Sequence, residues 1–138
     1  MRAYLGRRYR LSASHRLYTE ALNEAENQNV YGKCANPHGH GHNYTVEVIV
    51  GGEIEQSTGM VCDLGELDGT VAREILEPFD HTNLNTLDCF RSVVPTTENL
   101  VVEIRKRLKQ ALPRKLALTV RVEETSNNFF EYYQEPIP

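Results

Sequence analysis

The chain has 138 residues, 40% of them hydrophobic and 25% charged, with a formal net charge of -4. That composition suits one globular domain spanning 1–138 and excludes wholesale disorder. The acidic balance argues against a nucleic-acid partner, and no apolar run approaches the roughly 18 residues needed to cross a membrane.

Residues 7–17 (RRYRLSASHRL) alternate, with Tyr9, Leu11, Ala13, His15 and Leu17 on one face and Arg8, Arg10, Ser12, Ser14 and Arg16 on the other. Period two predicts a half-buried strand, and His15 projects from its apolar side. Residues 19–29 (TEALNEAENQN) are polar with weak helical spacing, predicting a short helix in a long excursion that ends in the turn-rich VYGKCANPHGHG. A second strand follows in HNYTVEVIV (42–50). There Tyr44, Val46, Val48 and Val50 share a face, and His40 and His42 extend that row by parity.

A third short strand is expected around Met60–Cys62. Asp63 then opens a helix, its spacing to Glu66 resembling a capping box with Asp in place of Ser or Thr. Leu64, Leu67, Val71, Ile75 and Leu76 form the stripe, and Pro78 is expected to end it. After the loop PFDHTNLN, Thr96 or Thr97 caps a second long helix with Glu98 in its first turn. Leu100, Val101, Ile104, Leu108 and Leu112 carry that helix to Pro113, and its basic run RKRLK (105–109) reads as a solvated face. LALTVRVEET (116–125) is the clearest strand: Leu116, Leu118, Val120 and Val122 lie on one face, and Glu124 falls on the same row. A last short strand is expected at FFEYY (129–133). The order β–β–(β)–α–α–β–β is α+β, with a mostly antiparallel sheet and helices on one face.

The N-terminal MRAYLGRRYRLSASH lacks the apolar core of a signal peptide. Cys34, Cys62 and Cys89 are odd in number and irregularly spaced, unlike a secreted disulfide framework. Cytoplasm is the expected location.

Three of the five histidines crowd into CANPHGHGHNY (34–44). His40 and His42, two apart on a strand, point the same way, and His15 from a paired strand completes a three-histidine set with an open fourth position, the pattern of a catalytic zinc site. His38 precedes Gly39 in the loop and is placed outside the ligand set. A zinc-bound alcohol or water is acidified, Cys34 nearby offers a general base as thiolate, and Asp80–His81 offers a proton relay. The plainer alternatives are a hydrogen-bonded core histidine, a buried free cysteine and a loop Asp-His pair. Glu124, a carboxylate on an apolar row, is costly unless exposed or paired.

The segments SASHRL (12–17), YGKCANPHGHGHNY (31–44), STGMVCDLGEL (57–67), FDHTNLN (79–85), PTTEN (95–99) and EETSNN (123–128) together resemble the 6-pyruvoyl-tetrahydropterin synthase family nearly end to end, in order and spacing as well as content. The resemblance implies the tunnelling fold (T-fold): a four-stranded antiparallel sheet with two helices on one side, three subunits closing their sheets into a barrel, and two trimers stacking into a homohexamer with sites at subunit interfaces. It implies 7,8-dihydroneopterin triphosphate as the small-molecule substrate and one Zn2+ per subunit on His15, His40 and His42. It further implies Cys34 as the catalytic base, and Asp80 and His81 as a relay reaching the site from a neighbouring subunit. Glu124 would be the pterin anchor, with Thr96, Thr97 and Glu98 as a second pterin-contacting segment. The implied reaction is a zinc-dependent lyase step, eliminating triphosphate with an internal redox shift to give the pyruvoyl product of tetrahydrobiopterin biosynthesis. Mg2+ would suit a triphosphate.

Two relatives within the resemblance compete. The 6-carboxytetrahydropterin synthases of queuosine biosynthesis share the substrate and zinc site but carry the cysteine closer to the histidine pair. Here Cys34 stands six residues before His40, with an NP-containing insert, which favours the pyruvoyl branch. His38 stands where that family often has asparagine. A third branch replaces the cysteine with glutamate to make 6-hydroxymethyl-dihydropterin, and Cys34 argues against it. A zinc-containing pterin-binding protein without catalysis is the rival from another class. The cations that meet the triphosphate are left open among Arg7, Arg8, Arg10, Arg16 and Lys33.

Overall fold

A computed structural model describes residues 1–132 of the chain. In chain order the elements are β1 (Arg2–His15), α1 (Glu24–Tyr31), β2 (His40–Glu53), α2 (Leu64–Val71), α3 (Glu77–Phe79), β3 (Thr82–Asn83), α4 (Thr97–Ala111), β4 (Ala117–Thr125) and β5 (Asn128–Tyr132). The two 14-residue strands β1 and β2 pair antiparallel along their whole length, from Arg2 opposite Glu53 to His15 opposite His40. Side chains alternate across a sheet, so this register fixes which residues share a face. Leu11, Ala13 and His15 of β1 are buried with Tyr44, Val46, Val48 and Val50 of β2. β4 adds Leu118, Val120 and Val122 from the far side of β2, and β5 continues the sheet beyond it.

The helices cover that apolar face alone. Leu67, Val71, Ile75 and Phe79 from α2, α3 and the turn between them meet Leu100, Val101, Ile104 and Leu108 of α4 over the sheet. Each such side chain, fully buried, is worth about 1.5–3 kcal/mol of transfer free energy. The opposite face is polar, with an Arg8–Glu47 ion pair at 3.0 Å, but leaves two aromatic rings in solvent, Tyr4 at 79% and Phe129 at 53% exposure.

Several expected elements differ. The sheet has five strands in the order β3-β1-β2-β4-β5 and is mixed, because two-residue β3 pairs parallel with Ala13 and Ser14. The four-stranded antiparallel sheet is thus its larger part, and β3 lay hidden in a loop too short to show period two. Met60–Cys62 is no strand. Glu55 and Met60 close a turn (N···O 3.0 Å) in which Gly59 adopts φ +74°, the left-handed region where glycine carries no steric cost.

The first strand starts at Arg2 and ends at His15, leaving Leu17 outside it. α1 starts at Glu24, where Asn23 and Glu26 make the reciprocal capping box, while Asp63 only accepts from the Glu66 N–H. Pro78 does not end its helix. The Glu77 N–H reaches back five residues to the Ala72 carbonyl in a widened π turn (Ala72–Leu76), and the chain stays helical through Phe79. Such a turn re-spaces the hydrogen-bond ladder around a residue that has no N–H of its own. Of the expected last strand, Phe129 to Tyr132 lie in β5, and Tyr133 falls outside the described residues.

Candidate active site

The sheet brings three histidines to one end of its helix-covered face. His15 and His40 are direct cross-strand partners, and His42 sits opposite Ala13, whose small side chain leaves room for the third ring. The ring centroids are 4.6, 5.1 and 4.7 Å apart, and one nitrogen from each ring lies within 4.8 Å of the other two. Gly39, at φ +69°, allows the loop to pass tightly beneath: a Cβ there would stand 2.8 Å from the His15 carbonyl oxygen.

Protonation follows from the contacts. His15 is buried and its Nδ1 lies 2.8 Å from the Pro95 carbonyl oxygen. A carbonyl only accepts, so Nδ1 carries the hydrogen, and Nε2 of the neutral ring holds a lone pair. Burial lowers the pKa of His15, outweighing the Pro95 bond, and burial likewise lowers that of His42. His15 Nε2 faces His40 Nε2 at 3.0 Å. His42 Nε2 is 3.3 Å from Glu124 Oε1 but not aligned for a hydrogen bond, which leaves a buried nitrogen without a partner. Two nitrogens on a tetrahedral zinc, at about 2.0–2.1 Å each, stand roughly 3.3 Å apart. A carbonyl holding the far ring nitrogen of a ligand is the usual outer support. The donor set therefore fits zinc. Among the described residues it is the one cluster of three such side chains able to share a cation, and nitrogen donors do not suit magnesium.

Glu124 reaches this site from β4, where pairing with β5 shifts register between Glu123 and Thr125. A bulge of this kind re-aims a side chain at the end of a strand. Its Oε2 accepts a short hydrogen bond from Thr97 Oγ1. Thr97 is 2% exposed at the start of α4; Thr96 caps that helix through the Asn99 N–H, and Glu98 points to solvent. Tyr44 lies buried beneath, its hydroxyl 3.5 Å from His15 Nδ1, and burial first, then Glu124, holds its phenol protonated.

Cys34 sits in a short 3-10 turn (Gly32–Ala35). Burial and then the Glu124 carboxylate push its thiol above the ordinary range. Besides solvent-facing Glu98, two of the sequence candidates stand apart from the histidine cluster. Asp80 and His81 lie along the free edge of β1: Asp80 Oδ1 accepts from the Ser12 N–H at 2.8 Å, and exposed His81 adopts φ 58°. His81 opens onto a shallow depression lined by Ser12, Ser14, Gly41 and Asn43 of the helix-free face, and Ala13 and His42 also border it. His38 is exposed and apart from the cluster.

Sequence reasoning missed Pro95, Tyr44 and the role of Thr97. Tyr44 shares the row of His40 and His42, so parity offered a signal; a backbone carbonyl 80 residues from His15 offered none.

Comparison with known proteins gives the family and the fold. A family profile described as 6-pyruvoyl tetrahydropterin synthase matches residues 4–135. A 6-pyruvoyl tetrahydrobiopterin synthase of Homo sapiens is 46% identical over 134 residues, covering 96% of this chain and 92% of that protein. One of Drosophila melanogaster is 43% identical over 132 residues, 94% of this chain and 79% of that protein. The solved structure of Caenorhabditis elegans 6-pyruvoyl tetrahydropterin synthase superposes with a TM-score of 0.92 at 37% identity, over 98% of this chain and 97% of that one.

Proposed function

Because the chain belongs to the 6-pyruvoyl tetrahydropterin synthase family, we propose that it converts 7,8-dihydroneopterin triphosphate to 6-pyruvoyl-tetrahydropterin, releasing triphosphate, with Zn2+ held by His15, His40 and His42. The observation that carries this reading is the convergence of three imidazole nitrogens beside one carboxylate, Glu124, whose charge also acts on the Cys34 thiol. Zinc bound there would polarise the hydroxyls of the substrate side chain and offset the influences that keep Cys34 protonated.

The protein groups then have separable tasks. Glu124 accepts hydrogen bonds from the ring N–H and exocyclic amine of the pterin, a charge-assisted pair, with Thr97 orienting its second oxygen. Cys34 removes a proton from the side-chain carbon next to the zinc-facing hydroxyls. The C–O bond to triphosphate breaks and triphosphate leaves. The electrons lost by the side-chain carbons remain in the molecule and reduce the ring, so no nicotinamide is consumed.

Asp80 is engaged by the Ser12 N–H at the β1 edge and His81 is exposed beside it, and in this reading they serve a neighbouring subunit's site. A homohexamer of two trimeric barrels is the assembly that reading requires, and Tyr4 and Phe129 on the helix-free face are surfaces it would cover. A cytoplasmic location is in keeping with three cysteines that form no disulfide.

Product identification tests the reaction. Zinc-loaded protein is incubated anaerobically with 7,8-dihydroneopterin triphosphate, and the products are analysed by mass spectrometry. A pyruvoyl pterin with free triphosphate is expected. A carboxy pterin with acetaldehyde would move the chain to the queuosine branch, and zinc binding without turnover would leave a pterin-binding protein.

A further inference from the structure

The free edge of β1 is zipped to the segment after α3 by an unbroken series of contacts. Ser12 gives its N–H to Asp80 Oδ1 (2.8 Å), its carbonyl accepts from the His81 N–H (2.6 Å), and Ala13 and Ser14 pair with Thr82 and Asn83 of β3. Beyond Asn83 the chain coils into a 3-10 turn, Leu84–Thr86, and its backbone leaves the edge. The Asn85 side chain takes over. Its Oδ1 accepts the Arg16 N–H at 2.7 Å and its Nδ2 donates to the Arg16 carbonyl at 2.9 Å. A carboxamide carries the same donor and acceptor as a peptide group, so Asn85 extends the parallel pairing past the last strand residue.

Arg16 passes this restraint to the cysteine. Its Nε donates to the Ala35 carbonyl at 3.0 Å, and the next residue, Leu17, gives its N–H to the Cys34 carbonyl at 2.8 Å. The guanidinium also lies over the Tyr18 ring, 4.2 Å from its centroid. The Cys34 turn belongs to no strand or long helix and starts at Gly32 in a left-handed conformation (φ 57°). These bonds tie it to the residue that follows His15.

We propose that Asn85 is a positioning residue that fixes the Cys34 turn relative to His15, acting through the main chain of Arg16 and Leu17. The catalytic consequence rests on reading Cys34 as the base; the positional one does not. Asn85 is exposed, so removing its amide removes hydrogen bonds and little buried area.

The test uses the full-length, zinc-loaded protein as wild type, Asn85→Ala and Asn85→Asp. Iodoacetamide alkylation is followed at each cysteine by peptide mass spectrometry, with Cys62 and Cys89 as internal references, and kcat and KM are measured alongside. Two lost hydrogen bonds correspond to about a tenfold effect. Asn85→Ala is expected to alkylate at Cys34 about tenfold faster, with Cys62 and Cys89 unchanged, and to lose about tenfold in kcat with KM within about twofold. Asn85→Asp, which keeps the acceptor for the Arg16 N–H, should fall between. Unchanged alkylation at Cys34, equal acceleration at all three cysteines, or an aspartate variant no better than alanine would each overturn the proposal. Absence of product from wild type would sink the synthase reading, and the alkylation rates would still decide the clamp.

Discussion

Thr97 Oγ1 gives its hydrogen to Glu124 Oε2, from a position 2% exposed beneath the site. If Glu124 anchors the pterin as proposed, a hydroxyl committed in this way acts on it through the carboxylate it orients. A hydrogen bond to a charged group is worth about 1.5–3 kcal/mol, or roughly ten- to a hundredfold in binding. Thr97→Val keeps the shape and removes the donor, so pterin affinity should fall by about tenfold or more, with kcat less affected; Thr97→Ser should restore it. Calorimetric titration with a pterin ligand measures this, and equal affinity for Val and wild type would dismiss the orienting role.

His15 and His40 are direct cross-strand partners, so strand register by itself brings them together. Chelation should therefore abolish activity while leaving the far-ultraviolet circular dichroism intact, with a lower Tm because a ligand of the folded state has been lost. His40→Ala should fall well below one zinc per subunit. Metal analysis of the wild type decides the assignment, since a value near zero removes His15, His40 and His42 as ligands.

Cys34→Ala separates chemistry from assembly. Cys34 is not among the three side chains that converge on the candidate metal position, so the variant should retain zinc and oligomeric state and lose turnover. Residual activity within about tenfold of wild type would be more than loss of a general base allows, since such a group contributes typically 10²–10⁴-fold.

Parity made most of this site readable in the sequence. A strand alternates strictly, so spacing alone assigns His15, His40 and His42 to the apolar face, and the register agrees; Glu124 falls on the same row by parity, at the point where the β4–β5 register shifts. What could not be read depends on long-range backbone geometry. The Pro95 carbonyl reaches His15 across 80 positions, two-residue β3 has no periodicity to detect, and Asn85 acts as a peptide group from within a turn. Pro78 misled for a local reason, since a single π turn accommodates it.

Asp68 on α2 couples helix to sheet through Arg7 (2.9 and 2.8 Å) and the Tyr9 hydroxyl (2.7 Å), and these bonds lower its pKa to about 2. An unfolded aspartate titrates near about 3.9. A depressed folded pKa stabilises above the unfolded value and is lost as pH falls through the folded one. Asp68→Asn should therefore destabilise at pH 7 and make progressively less difference towards pH 2. Because the pair is solvated, the effect should be modest and weaken with salt. Urea unfolding of both proteins across that pH range checks the sign, and a gap that widens on acidification would contradict it.

Asn27 is 1% exposed, a polar side chain buried inside the excursion between β1 and β2. Its Oδ1 accepts from the Thr19 N–H at 2.9 Å, and its Nδ2 faces the carbonyls of Thr19, Leu22 and Asn23 at 2.9, 3.2 and 3.0 Å. One amide thus satisfies the backbone of a loop that has no sheet partner. Asn27→Leu matches the size but strands these groups in the interior, at about 1–3 kcal/mol for an unsatisfied group. Loss of stability by about that amount in urea unfolding is expected, with new protease cleavage confined to residues 18–23. The Cys34 turn follows this excursion directly, so kcat should fall in the same variant while zinc content holds. Wild-type resistance to cleavage would show that the loop is held by something other than Asn27.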